Sequence, residues 1–293
     1  MYNLGMLDLV SLEPVDYLVI GHLSHDITPD GARLGGTPAY SALTARAMGL
    51  RVGIVTAWAK GAQNNVLSLD VLKNIPMVSV SSEKRTTFNN IPTENGRQQY
   101  LYHLAAPIPF TSIPEVWRHA AIIHIGPIAQ EVEPLLPSGF SPSLLGLTLQ
   151  GWLRAWDEKG EVKPCKWPEA ASPLHRAGAA VLSIEDVDGD EDQIEAMALA
   201  SRVLAVTEGP AGARLYWHGD LRRFSAPVME RVDDTGAGDI FAAAFFVRLY
   251  MTRDPWEAAR FATHLAARSV TRPGLEGIPT PEEIQACLTE VLP

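Results

Sequence analysis

Short, continuous apolar runs recur along the chain in a pattern that suits a buried parallel sheet. Tyr17-Leu18-Val19-Ile20 closes on Gly21, and Val52 to Ala57, Ala120 to Ile125, Leu144 to Leu149, Ala179 to Ile184 and Arg202 to Thr207 repeat it. A strand covered on both faces reads as such a run, whereas a half-exposed strand alternates. Helix-length segments lie between several of these runs. Ala39 to Leu50 has helical spacing with Gly49 near its end, and Asp190 to Ala200 is a second such segment. Strands alternating with helices predict an α/β fold with a mainly parallel central sheet flanked by helices on both faces. Ala213 to Trp217 and Leu221 to Ala226, joined through His218-Gly219-Asp220, predict a hairpin at a sheet edge.

One region breaks the alternation. Arg85 to Asn89 and Arg97 to Leu104 predict two strands around Pro92-Thr93-Glu94-Asn95-Gly96, because Thr86, Thr87, Phe88, Tyr100 and Tyr102 are good strand formers. Residues 151–176 are richer in Trp, Pro and charge and predict an irregular or mobile excursion. No internal repeat or low-complexity tract interrupts the chain. Its 293 residues are read as one α/β domain, 1–293.

Composition narrows the partners. Hydrophobic content of 46% and charged content of 20% are ordinary for a globular protein. The formal net charge is −10 and no Lys/Arg cluster stands out, which argues against nucleic acid and against an anionic membrane surface. A local nest of backbone N–H groups can still bind phosphate on an acidic protein. Cys165 and Cys287 fit no metal spacing and build no disulfide framework. Met1 to Val10 has no signal-peptide character, and no run reaches the ~18 apolar residues of a membrane span, so a cytoplasmic protein is expected.

The most informative stretch is Val232-Asp233-Asp234-Thr235-Gly236-Ala237-Gly238-Asp239-Ile240-Phe241, followed by apolar residues to Val247. A Gly-rich turn opening a helix bares backbone N–H groups at the positive end of the helix dipole, an arrangement that binds anions. Asp239 would stand in the first turn beside a bound phosphate. A carboxylate there repels a resting anion unless it serves to take a proton from a hydroxyl attacking phosphorus. The plainer alternative is a capped helix, with Asp234 or Thr235 as N-cap and Asp239 as a dipole-favoured acid.

Asp-x-Thr-Gly-Ala-Gly-Asp-x-Phe resembles the second motif of the ribokinase-like (PfkB) family of carbohydrate and nucleoside kinases. Gly35-Gly36-Thr37-Pro38-Ala39-Tyr40-Ser41-Ala42 resembles its first motif. Val206-Thr207-Glu208-Gly209-Pro210-Ala211-Gly212-Ala213 resembles its nucleotide-side strand and turn, and Phe261 to Gly274 its last helix and turn. These segments follow the family's order over roughly residues 17 to 285. The resemblance implies a ribokinase-like sheet with a small β lid, its elements about 27–34 and 85–104, reduced because the segment from Asp26 to Gly35 is short. It implies ATP and Mg²⁺ as donor and cofactor and a small polyol, sugar or cyclitol, as substrate. A nucleoside kinase is the alternative, and a catalytically silent sugar- or nucleotide-binding relative is a third reading. A short lid with open strand edges also offers a surface for a homodimer.

Residue by residue, the resemblance makes Asp239 the base and the backbone N–H groups of Gly236, Ala237 and Gly238 the anion hole. Asp26 follows the first strand at its carboxyl end, where ligands collect in open α/β sheets, and matches the family's acceptor of substrate hydroxyls. Gly35, Gly36 and Tyr40 belong to the same substrate side; Tyr40 stands where the family usually has Asn, and its ring either packs on a substrate or fills core space. Thr207, Gly209, Gly212, Thr263 and Gly274 fall on the nucleotide side. Asp186 replaces a Glu tied to magnesium and phosphate, and Asp233 and Thr235 match positions that hold a monovalent cation in some relatives. The P-loop pattern, G-x-S-x-G, H-E-x-x-H, C-x-x-C and a dinucleotide fingerprint after the first strand are all absent from the sequence.

Overall fold

A computed structural model describes residues 12–29, 31–59, 69–93 and 96–288. The segment Met1 to Val10, Asp30 of the first lid segment and the hairpin tip at 94–95 lie outside the described residues. In chain order the elements are β1 (Tyr17–Ile20), β2 (Ser24–Thr28), β3 (Gly31–Gly35), α1 (Thr37–Ala47), β4 (Val52–Trp58), β5 (Met77–Ser81), β6 (Thr86–Thr93), β7 (Gly96–His103), β8 (Ile122–Ile125), β9 (Leu144–Thr148), β10 (Arg154–Trp156) and β11 (Val162–Pro164). They continue with α2 (Ala171–Arg176), β12 (Ala179–Ser183), α3 (Glu191–Ala200), β13 (Val203–Thr207), β14 (Ala213–Trp217), β15 (Asp220–Phe224), α4 (Ala237–Thr252), α5 (Pro255–Ser269) and α6 (Pro281–Leu288).

The main sheet has nine strands in the order β15-β14-β13-β12-β9-β8-β1-β4-β5. All pairings from β13 to β5 are parallel, and the β14–β15 hairpin adds an antiparallel edge. The apolar runs behave as buried strands should. Tyr17 and Val19 join a core with α1, α4 and α5, while Leu18 and Ile20 enter the opposite core with Leu174 of α2 and Ile194 of α3. Helix α4 is buried almost all round, from Ile240 to Val247. Its Phe246 ring lies over Gly146 of β9, where a Cβ would come within 2.7 Å of the ring, and burying such a ring contributes roughly 2–3 kcal/mol.

A second sheet has the order β3-β2-β6-β7, with β2 and β6 parallel and both hairpins antiparallel. The 151–176 segment is not irregular. It holds a 3₁₀ turn at Gln150–Leu153, the β10–β11 hairpin and α2. The hairpin docks on β7: Leu101 N donates to Gly160 O at 2.8 Å, Tyr100 bridges to Glu161, and Gln98 bonds the Glu161 carboxylate at 2.9 Å. The small sheet is therefore backed by more chain than the short 27–34 segment alone implied. Helix α1 begins at Thr37, two residues ahead of the apolar spacing, because Gly36 at φ 87° turns the chain and Pro38 fits the first helical turn. Among the described residues no helix is long and apolar enough to cross a membrane.

Candidate active site

The N-terminal ends of α1 and α4 and the carboxyl ends of the central strands gather the candidate residues. Gly236 is the N-cap of α4, left-handed at φ 81°, and no side chain caps the helix. The capping alternative through Asp234 or Thr235 is therefore not realised. The amide of Thr235 instead donates to Asp233 Oδ1 at 2.9 Å. Ala237, expected as an anion-hole donor, spends its N–H on the Asp234 carbonyl at 3.1 Å, closing the turn. The N–H groups of Gly236, Gly238 and Asp239 have no acceptor within the described residues, as expected of a first helical turn. A Cβ at Gly238 would meet nothing within 4 Å, so the space beside this residue of the first turn is open.

Asp239 sits at the third residue of α4, partly buried. Burial pushes its carboxyl up from the ordinary 3.8 to about 6. The Thr37 hydroxyl at the start of α1 and the Arg154 guanidinium oppose the rise, while the Asp186 and Asp26 carboxylates add to it. Ser41 fixes the backbone from the other side, donating to Asp239 O at 3.2 Å. One hydroxyl and three charged side chains from distant segments thus act on one carboxyl.

Asp26 lies on β2 opposite Arg33 of β3. The neighbouring Gly35 makes room for it, since a Cβ at 35 would fall 2.1 Å from Asp26 Oδ2. Gly36 serves the backbone: a Cβ there would meet the His22 carbonyl at 2.2 Å. Both glycines make room for neighbouring groups of the site. Tyr40 is only 2% exposed and packs under Gly236, so the core-filling alternative describes it and it has almost no surface to offer a substrate.

Asp186 follows β12 in a capping box with Ser183, whose amide donates to Asp186 Oδ2 at 2.8 Å. Gln150 reaches Oδ1 at 3.4 Å. Burial raises the Asp186 carboxyl, and Arg154 is the main influence against it. Arg154 itself bonds the Ile128 carbonyl at 3.2 Å and lies 5.7 Å from the centre of the Phe88 ring on the small sheet. Among the described residues no group of three or more His, Cys, Asp or Glu side chains forms a metal cage. Mg²⁺ carried by phosphates stays largely hydrated and needs only one or two protein carboxylates, a demand that the Asp186 side chain would meet.

The residues expected on the nucleotide side divide. Thr207 ends β13 and Gly209 and Gly212 turn the chain at φ 56° and 104°. A Cβ at Gly212 would strike the Phe224 carbonyl at 2.0 Å, so this glycine is required by the β14–β15 hairpin. Thr263 is 3% exposed and its hydroxyl donates back to Ala259 O at 2.8 Å inside α5, so its proton is committed to the helix. Gly274, at φ 48°, donates its N–H to Asp233 at 2.9 Å and so braces the loop before α4.

Sequence reasoning missed Thr37, Arg154 and Arg33. Thr37 lay within the first quoted motif, and its place at the start of a helix was the available signal. Arg154 had none, because it belongs to the excursion whose structure the sequence did not disclose.

Residues 175–282 match the model of the pfkB family carbohydrate kinases. The chain is 27% identical over 276 residues to the cytidine kinase of Thermococcus kodakarensis, covering 86% of this chain and 95% of that protein. It is 44% identical over 98 residues to the ribokinase of Bacillus subtilis, covering 32% of this chain and 33% of that one. A pyrophosphate-dependent kinase in the ribokinase family, solved with a pyrophosphate analog and myo-inositol, superposes with a TM-score of 0.71 at 18% identity, over 92% of this chain and 99% of its own. At that identity the superposition shows the shared fold.

Proposed function

The chain belongs to the ribokinase-like (PfkB) family of carbohydrate kinases, and on that premise we propose that it moves the terminal phosphoryl group of ATP to a hydroxyl of a small polyhydroxy substrate, a sugar or cyclitol. One observation carries the reading: a carboxyl raised to about 6 stands among three unbonded N–H donors at the mouth of α4. A carboxylate so poised is ionised at neutral pH yet basic enough to accept a hydroxyl proton.

In this scheme Asp26 accepts hydrogen bonds from substrate hydroxyls and holds the reacting oxygen near Asp239. Asp239 takes the proton as that oxygen bonds to the γ-phosphorus. The bond from the γ-phosphorus to the bridging oxygen breaks, and ADP leaves with its electrons. The N–H groups of Gly236, Gly238 and Asp239 receive the charge on the equatorial oxygens, an effect worth about 3 kcal/mol per donor in comparable sites. Mg²⁺, when bound, supplies neutralisation of the phosphate charge, with Asp186 as the carboxylate that meets it. Thr37 and Arg154 keep Asp239 oriented and limit the rise in its pKa. Thr207, Gly209 and Gly212 form the wall toward the adenosine, and the β2-β3-β6-β7 sheet closes over the substrate as a lid. Because the 151–176 segment covers β7, β3 is the lid edge open to a second copy in a homodimer.

A nucleoside as acceptor is the second reading, favoured by a likeness to a cytidine kinase that runs along almost the whole of both proteins. A panel of pentoses, hexoses, inositols and nucleosides, with ATP and pyrophosphate as donors, decides between them. Turnover with a sugar or cyclitol and ATP supports the first reading, and turnover confined to nucleosides supports the second. Absence of donor cleavage with every acceptor would overturn both.

A further inference from the structure

The loop that opens α4 carries Asp233, Asp234 and Asp239 within seven residues. Such a concentration of negative charge opposes phosphate binding unless a positive charge is built in. Asp233 and Thr235 are the positions at which the resemblance implies a monovalent cation, but the Asp233 carboxylate does not fit one. Asp233 Oδ1 accepts from Thr235 N at 2.9 Å, and Oδ2 accepts from both Gly274 N and Arg33 Nη1 at 2.9 Å. The Val270 carbonyl beside them already accepts two amides, Val232 N at 2.8 Å and Asp233 N at 3.1 Å. An alkali ion needs oxygen lone pairs converging on an open point. Here those lone pairs face N–H donors, and a guanidinium stands in front of the carboxylate.

We propose that Arg33 is the positioning residue that takes the place of a monovalent cation at the phosphate-binding loop, so that this kinase needs no alkali metal. The side chain comes from β3 of the small sheet, two residues before Gly35 and opposite Asp26. A guanidinium keeps its charge at any physiological pH and offers several directed donors. It therefore holds the Asp233 carboxylate, and with it the turn through Thr235 and Gly236, in one arrangement without having to bind an ion from solution. The pair also ties the substrate-side sheet to the loop that receives the donor phosphate. Arg33 acts through Asp233 and does not touch the reacting atoms.

The proposal rests on reading 233–239 as a phosphate site, so its test begins with binding and not turnover. Affinity for inorganic phosphate is measured by calorimetry in potassium and in tetramethylammonium salts of equal ionic strength, for the unaltered protein, Arg33→Ala and Arg33→Lys, with circular dichroism to confirm folding. The unaltered protein is expected to bind phosphate equally in both salts. Arg33→Ala is expected to bind roughly tenfold more weakly in tetramethylammonium, the scale of one hydrogen bond to a charged group, and to regain most of that loss in potassium. Arg33→Lys should stay closer to the unaltered protein and remain indifferent to the salt. Potassium-dependent binding by the unaltered protein overturns the proposal. So does Arg33→Ala binding as tightly as the unaltered protein without potassium, or losing affinity that potassium does not restore. If no protein binds phosphate in either salt, the reading of the loop itself fails, and the proposal with it. Turnover of the three proteins in the two salts, once an acceptor is known, should follow the same pattern.

Discussion

The ring of Tyr40 stands against the α-carbon of Gly236, so closely that a Cβ at 236 would come within 2.2 Å of it. The first motif thus supports the second from beneath: an aromatic residue on α1 sets the height of the turn that bares the unbonded N–H groups. Gly236→Ala should therefore fail twice, by forcing Tyr40 aside and by placing a side chain at φ 81°. The left-handed conformation alone costs about 1–3 kcal/mol. A melting temperature within error of the unaltered protein would contradict this packing.

Tyr40→Asn probes the same contact from the other side. Because Tyr40 is buried under the loop, the substitution is expected to lower kcat for every acceptor by a similar factor and to leave the ranking of acceptors unchanged. A changed ranking in the substrate panel would mean that the ring does face the substrate.

Gly238→Ala separates stability from activity. The site has room for the methyl group, and alanine is the better helix former by about 1 kcal/mol, so the melting temperature should hold or rise. The same methyl group occupies the space before the unbonded N–H groups, so kcat should fall more than KM rises. An effect confined to the acceptor KM would place phosphate charge elsewhere.

Asp239→Asn should abolish turnover while stabilising the fold at neutral pH. The carboxyl titrates near 6 in the folded protein against 3.8 when unperturbed, a difference of about 3 kcal/mol that burial charges against its ionised form. A raised carboxyl stabilises the fold fully only below about 3.8, and that contribution is lost as pH rises through 6. The amide escapes this loss. Thermal melts should show Asn more stable than Asp at pH 8 and the advantage shrinking as pH falls through 6. In the unaltered enzyme kcat/KM should rise with pH on an acid limb near the same value. Turnover of the variant within tenfold of the parent, or a stability gain independent of pH, would remove Asp239 from its role.

Asp26→Ala should weaken acceptor binding by about 2–3 kcal/mol, the loss of hydrogen bonds to a charged group, and leave donor affinity nearly untouched. Parallel titrations with acceptor and with ATP measure this. Weakened ATP binding instead would move the substrate pocket away from β2.

Much of this architecture was legible because buried parallel strands write themselves as apolar runs, and the Tyr17, Val52, Ile122, Leu144, Ala179 and Val203 segments each became a strand. Their order in the sheet was not legible, since nothing in Tyr17–Ile20 says that its neighbours are Val52 and Ile122. The glycines of the α4 turn were read correctly as a bend that bares N–H groups, but the bond from Ala237 to Asp234 depends on turn geometry that residue type does not specify. The sequence left Tyr40 open between a substrate-facing ring and a core ring and put Thr263 on the nucleotide side; both are interior, because exposure is decided by what packs on α1 and α5. The Arg154 charge acts on Asp239 only through the fold of the 151–176 excursion, and no local pattern could place it.

The position of β1 has a consequence for how the chain comes together. It pairs with β4 on one side and with β8 on the other, and Tyr17 finds its second partner in Ile122, about a hundred residues later. Helix α4, which closes the core over these strands, comes later still. A ribosome therefore releases a fully buried strand long before its lateral partner exists, and the nascent chain must wait with that edge unsatisfied. Parallel pairings of such long sequence separation form slowly and expose the chain to aggregation meanwhile. Refolding from denaturant should be slow and concentration-sensitive, and the site, assembled from both ends of the chain, should be among the last features to appear.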